Sequence, residues 1–142
     1  MSLPYLAAGR GPAPVVHPGN AFWWQALAQG ELRLPRCTAC GTIRFPPTEA
    51  CWQCLSFGYE LAELATSGTV AACVVVERVA GRSRWRAGVP YRTALVDLDG
   101  VRLPGRILCA CGGADTPGAP VTAALLHTDD GPPVLGFAHG CA

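Results

Sequence analysis

Two cysteine pairs hold the clearest chemistry in this chain: Cys37-Thr38-Ala39-Cys40, followed by Gly41, and Cys51-Trp52-Gln53-Cys54. Cysteines two residues apart can turn both sulfurs toward one ion from a single tight turn. A second pair brought alongside completes a tetrahedral four-thiolate cage, with metal–sulfur distances of about 2.3 Å. Gly41, directly after the second ligand, suits a turn that needs positive φ. Ten residues lie between Cys40 and Cys51, slightly fewer than in the usual zinc-ribbon spacing. Two disulfides would use the same four residues, but two spaced pairs without a secretory signal point to a metal. Cys37, Cys40, Cys51 and Cys54 are therefore the predicted ligands. Four thiolates leave no open position for water or substrate, so the expected ion is a structural Zn²⁺, although iron would also accept these ligands. Arg36 and Arg44 flank the first pair. Either they offset part of the cage's negative charge or they sit on a solvated strand face.

The other reactive residues form no comparable pattern. Cys73, within Ala71-Ala72-Cys73-Val74-Val75, reads as a small core residue. Cys109 and Cys111 are too close for a Cys-x-x-Cys grip, and a second metal site with His127 is a remote expectation. Cys141 is expected to be exposed. His17, His127 and His139 lie in no nucleophile motif, and there is no glycine-rich phosphate loop, dinucleotide fingerprint or carboxylate pair. One segment, 80–90, concentrates basic and aromatic residues. Its Arg82, Arg84, Trp85 and Arg86 are candidate ligand contacts, with arginines reaching an anion and Trp85 stacking on a base. A solvated hairpin tip would need the same residues, and nothing in the loop fixes a binding geometry.

These groups must be positioned by a mainly β chain. Half of the 142 residues are apolar and 15% are charged, which describes a globular protein. The net charge of +1 supplies no global attraction to nucleic acid or anionic membrane. All eleven basic residues are arginines. Residues 1–19 lack an apolar core of signal-peptide length, and no apolar run could span a bilayer, so a cytoplasmic location without membrane contact is expected.

Residues 1–18 read as a Pro- and Gly-rich arm, either disordered or laid along a partner. Asn20 and Gly30 bracket a short helix over 21–29 that places Phe22, Trp23 and Trp24 in succession. Leu32 and Leu34 alternate as in a strand leading into the first knuckle, and Ile43 and Phe45 alternate on the way out until Pro46-Pro47. The two knuckles are thus expected to be joined by a hairpin-like ribbon. Strands are predicted over 59–64, 69–79, 91–98, 101–108 and 120–127, with Asp99-Gly100 as a two-residue hairpin turn. Gly68 and Gly105 sit where bent strands would use a residue without Cβ. A five- to six-stranded closed barrel of the OB-fold type is the predicted architecture. The expected organisation is 1–30 arm and helix, 31–57 zinc ribbon and 58–142 OB-fold.

The ordered set Phe22-Trp23-Trp24, Gly30-Glu31-Leu32, Cys37-x-x-Cys40-Gly41, Phe45-Pro46-Pro47, Cys51-x-x-Cys54 and Gly68-Thr69-Val70 resembles the rubredoxin-like zinc-ribbon plus OB-fold family associated with acyl-CoA. Pro90-Tyr91, residues 94–98 and residues 117–121 extend the resemblance over nearly all of the chain after Pro18. Departures fall at residues 109–113 and in the 136–139 tail. The resemblance implies a non-catalytic accessory subunit of a thiolase-like complex: a thiolase, an acyltransferase or an aldolase, in lipid or steroid metabolism. It also implies zinc on the four named cysteines and an acyl-CoA channel at the shared interface. The aromatic helix, with Phe22, Trp23 and Trp24, is the expected partner contact, because one small domain covers only one face of it. A nucleic-acid-binding zinc-ribbon/OB-fold module is the alternative, opposed by the near-neutral charge and by strands without a basic and aromatic stripe.

Overall fold

The computed structural model describes residues 2–7, 11–108 and 116–139. Helix α1 spans Ala21–Ala28. Asn20 does not cap it with its side chain as expected. That side chain is committed upstream instead, accepting from the His17 N–H at 2.8 Å and donating to the Val15 carbonyl at 3.2 Å. The stop is the expected one. Gly30 has φ 78° and donates its N–H to the Leu27 carbonyl at 2.9 Å. So short a helix is held by packing rather than by propensity. Trp23, Ala26 and Leu27 are buried, while Phe22 and Trp24 pack at the margin of the same core.

The N-terminal arm lies on its own chain. Leu3 donates to the Gly30 carbonyl, and the Pro4–Leu6 segment exchanges hydrogen bonds of 2.8 and 2.9 Å with Leu125. Gly11 continues this as a parallel bridge to Thr128. Leu3 is buried against the core, whereas residues 15–18 are exposed.

Strand β1 (Arg33–Cys37) pairs antiparallel with β2 (Tyr59–Glu63), in a register running from Arg33 opposite Glu63 to Cys37 opposite Tyr59. The expected ribbon between Leu32 and Phe45 is reduced to one bridge, Arg36 to Ile43. Pro46 and Pro47 have no N–H to continue a ladder, so the strand that completes the ribbon comes from beyond the second knuckle. Strand 59–63 therefore belongs to this sheet and not to the barrel.

Five strands close the barrel in the order β3-β4-β5-β7-β6, with β6 returning to β3. They are β3 (Ser67–Val76), β4 (Tyr91–Leu98), β5 (Val101–Leu108), β6 (Pro120–Leu126) and β7 (Val134–His139). All neighbours are antiparallel except β5 and β7. The fifth barrel strand is thus β7, from the tail set aside as a departure. It was missed because Gly136 interrupts a short apolar run. Gly136 is buried against Leu126, whose side chain would stand 2.9 Å from a Cβ there and would have to shift. The Asp99-Gly100 turn forms as expected, with φ of 49° and 79° at its two residues. Inside the barrel, Val96, Leu98, Leu103 and Phe137 are wholly buried, and Leu27, Leu32 and Leu34 extend the same core to the helix and ribbon. Among the described residues no helix is long and apolar enough to cross a membrane.

Gly105 lies where β5 passes closest to β7. A Cβ there would stand 2.7 Å from the Phe137 ring and 2.9 Å from the Leu135 carbonyl oxygen. Backbone on one side and a fully packed ring on the other leave no room to yield. Gly105→Ala is expected to destabilise the chain by about 2 kcal/mol, read as a lower midpoint in urea unfolding with unchanged slope.

Candidate metal centre

Each knuckle is the same turn built twice. In the first, the Cys37 N–H donates to the Thr42 carbonyl, and Gly41 donates back to Cys37 with φ 78°. In the second, Cys51 donates to the Ser56 carbonyl, and Leu55 donates back to Cys51 with φ 65°. Glycine makes the left-handed residue free of strain at the first turn. At the second a leucine takes the position, at a cost of about 1–2 kcal/mol. A strained residue persists only where the surroundings over-determine it, and here the requirement is that both sulfurs of the pair face inward.

The four sulfurs converge. Cys37 and Cys54 lie 3.5 Å apart, Cys40 and Cys51 3.6 Å apart, and all four sit within 4.8 Å of one another. A disulfide would need about 2.05 Å. A tetrahedron with metal–sulfur bonds of about 2.3 Å has edges of about 3.8 Å, so the observed set fits a four-thiolate ion. Among the described residues, no other group of three or more His, Cys, Asp or Glu side chains converges in this way. Cys37 and Cys51 are buried, whereas Cys40 and Cys54 face solvent.

The thiols are electrostatically unlike. The backbone N–H of Cys40 brings the Cys37 thiol down to about 6 against the opposing effect of burial. Burial raises the Cys51 thiol, but the amides of Cys54 and Gln53 outweigh it and hold it below its ordinary value. At Cys54 the Ser56 amide pulls downward, yet the crowding sulfurs and burial prevail and push it up to about 11. Binding a metal must displace the Cys54 proton, so affinity rises with pH through the neutral range.

The two flanking arginines part company. Arg36 is exposed on β1, as one reading of it expected. Arg44 is wholly buried, which alternation with Ile43 and Phe45 did not suggest. Its Nη1 donates to the carbonyls of Thr48 and Glu49 at 3.3 and 3.1 Å, and its Nη2 to those of Ser56 and Gly58 at 3.2 and 3.0 Å. Its guanidinium also lies over the Tyr59 ring, 5.4 Å from the centroid.

The aromatic helix abuts this site. Trp23 is 5% exposed and meets Phe45 edge-on at 5.7 Å, and Phe22 lies 6.0 Å from Tyr59. Trp23 thus serves this chain's own core. Trp24 is half-buried, and its indole N–H is shielded from solvent without a partner. Large apolar side chains stand exposed at the second knuckle: Trp52, Leu55 and Phe57, each at least 66% accessible. Sequence spacing marked none of these three.

The segment over 80–90 is not a bare hairpin tip. A 3₁₀ turn (Arg84–Gly88) is opened by the Ser83 hydroxyl, which accepts the Trp85 N–H at 3.3 Å. Trp85 packs on Tyr91 at 5.6 Å, and Arg106 from β5 sits 5.2 Å over Tyr91. A concavity of about 220 Å³ lies among Gly11, Pro12, Arg84, Trp85 and Arg106. Arg84 pairs with Asp129 at 3.6 Å, Arg86 reaches the Gly81 carbonyl, and Arg82 is exposed. Cys73 is half-buried at the margin of the core, and His127 stacks on Tyr5 at 4.1 Å. Cys109, Cys111 and Cys141 lie outside the described residues, as does any second metal site built on the first two.

Cys40→Ser removes a ligand that faces solvent and has no role in the core. The expected outcome is loss of bound metal, measured by elemental analysis, with loss of the β1–β2 ribbon by amide exchange. Full metal content in that variant would contradict the ligand assignment.

Two family models cover the chain. One described as the rubredoxin-like zinc ribbon domain of ChsH2 matches residues 24–60, and one described as the C-terminal OB-fold domain of ChsH2 matches residues 62–142. A protein of Thermomonospora curvata named "Probable enoyl-CoA hydratase alpha subunit" is 34% identical over 119 residues, 83% of this chain. Only 36% of that relative is matched, so this chain spans about a third of its length. A solved structure described as "Ltp2-ChsH2(DUF35) aldolase" is similar with a TM-score of 0.77 and 31% identity, covering 90% of this chain and 99% of that one. With the four sulfurs converged in the ribbon and the barrel closed behind it, the chain belongs to the ChsH2 family of zinc-ribbon and OB-fold proteins.

Proposed function

We propose that this chain is a non-catalytic accessory subunit of a thiolase-like complex acting on acyl-CoA or a related acyl substrate, of the aldolase kind before thiolase or acyltransferase. The observation that carries this reading is the near end-to-end likeness to a chain of an Ltp2–ChsH2(DUF35) aldolase. The metal in this reading is zinc with a structural role, because four thiolates saturate a tetrahedral ion and leave it no site for substrate. The chain's work is then assembly of the complex and completion of its acyl-CoA channel. Arg82, Arg84, Trp85 and Arg86, joined by Arg106, are the groups suited to the anionic end of such a substrate.

On the partner-facing side, Trp23 is committed to the core, so the helix can offer only the outer parts of Phe22 and Trp24. The two tryptophans should therefore separate in experiment. Trp23→Ala is expected to cost about 3–5 kcal/mol of stability, as for other large core aromatics. Trp24→Ala is expected to leave a folded chain whose capture of a co-expressed thiolase-like subunit is weakened by about 2 kcal/mol, roughly 30-fold in dissociation constant. Capture at wild-type affinity by that variant would remove the helix from the interface. Separately, the purified chain should show no thiolase, aldolase or acyltransferase turnover, and adding it to the thiolase-like subunit should raise that subunit's turnover. Turnover by the chain alone would overturn the accessory reading.

A further inference from the structure

Arg44 is a buried charge, and no carboxylate accompanies it among the described residues. A buried guanidinium is costly unless its donors are satisfied and its charge is met nearby. Four Nη hydrogen bonds answer the first requirement at the fork, all of them to main-chain carbonyls of the segment that carries the second knuckle, while Nε is enclosed without a partner. Two of those carbonyls are shared. The Ser56 oxygen also accepts the N–H of the ligand Cys51, and the Gly58 oxygen also accepts the N–H of Thr38, beside the ligand Cys37. Arg44's own N–H donates to the Pro35 carbonyl of β1 at 2.9 Å. One side chain, rooted just past the first knuckle, thus spans both metal-binding turns through carbonyls that hold the amide of one ligand, Cys51, and the amide next to another, Cys37.

From this geometry we infer that Arg44 is a positioning residue for the metal, an internal clamp that sets how tightly the cage holds its ion. The inference rests on the metal reading given above. A four-thiolate cage around a divalent ion carries excess negative charge, and Arg44 is the cation enclosed beside its loops. The clamp acts by holding the 48–58 segment against the first knuckle, so that all four sulfurs converge before the ion arrives. Only a planar fork fits this role. A lysine ammonium is a point charge and cannot reach carbonyls on two sides with paired, coplanar donors.

The test uses the full chain loaded with Zn²⁺, following transfer of the ion to a chelating dye. Partners that orient metal ligands typically govern 10–100-fold in affinity. Arg44→Met is expected to release zinc at least 10-fold faster than wild type, Arg44→Lys to fall between them, and Arg36→Met to match wild type within about 2-fold. Cobalt(II) loading supplies a readout that general loss of stability would not move. In the folded Arg44→Lys protein the ligand-field bands should shift, reporting altered sulfur geometry. Should Arg44→Met prove insoluble, the lysine variant decides alone. Wild-type release rate and spectrum in Arg44→Lys would overturn the clamp. Absence of metal from the wild-type chain would instead overturn the metal reading, and the clamp with it.

Discussion

Four sulfurs gathered within 4.8 Å impose the constraint on which the N-terminal half depends. Apart from the cysteines, the side chains of the two knuckle turns lie exposed or half-buried, so no hydrophobic burial brings these turns together. Once both pairs must face one point, the strand leaving the second knuckle is delivered beside the strand entering the first. The pairing of Cys37 with Tyr59 and the rest of the β1–β2 ladder follow from that. Leu55 shows how strict the demand is, since a bulky residue holds a left-handed conformation that glycine adopts freely at the matching position.

Around the cage the main chain is organised by one buried cation. Arg44 binds four carbonyls of the second-knuckle segment, and its guanidinium covers Tyr59, which in turn meets Phe22 on the helix. Metal loops, ribbon and helix are thereby linked through side chains in direct contact. The helix closes the link to the barrel, because Trp23 and Leu27 belong to the same core as Val96, Leu98 and Phe137. This continuity explains how an eight-residue helix of modest intrinsic stability holds its place.

The barrel and ribbon together leave two kinds of surface with different chemistry. At the second knuckle, Trp52, Leu55 and Phe57 present apolar area to solvent. Near the 3₁₀ turn, Arg84 and Arg106 border a concavity beside Trp85. In the accessory-subunit reading proposed above, the first would meet protein and the second the anionic part of a substrate. The family resemblance supplied that expectation, while the side-chain placement is what makes it testable.

Much of this was legible in the residues themselves. The two Cys-x-x-Cys pairs determined the metal site, because ligand spacing within a turn is a local property that no distant contact can change. Asp99-Gly100 determined its hairpin for the same reason, and Gly105 marked a close approach by having no side chain at all. What the tertiary structure decided were the choices of partner. Strand 59–63 looks like any half-buried strand, and only the metal-held knuckles place it in the ribbon. Residues 134–139 look like a tail until β5 and β6 offer them two open edges. The arm carries too little apolar surface to fold alone, yet the rim of the barrel receives Leu3 and pairs with Pro4 and Leu6. Arg44 is the sharpest case. By residue type it belongs in water, and it is buried because four carbonyls from a loop up to fourteen residues away converge on it. Periodicity reports which face of an element is apolar, but which groups meet that face is settled only when the chain closes on itself.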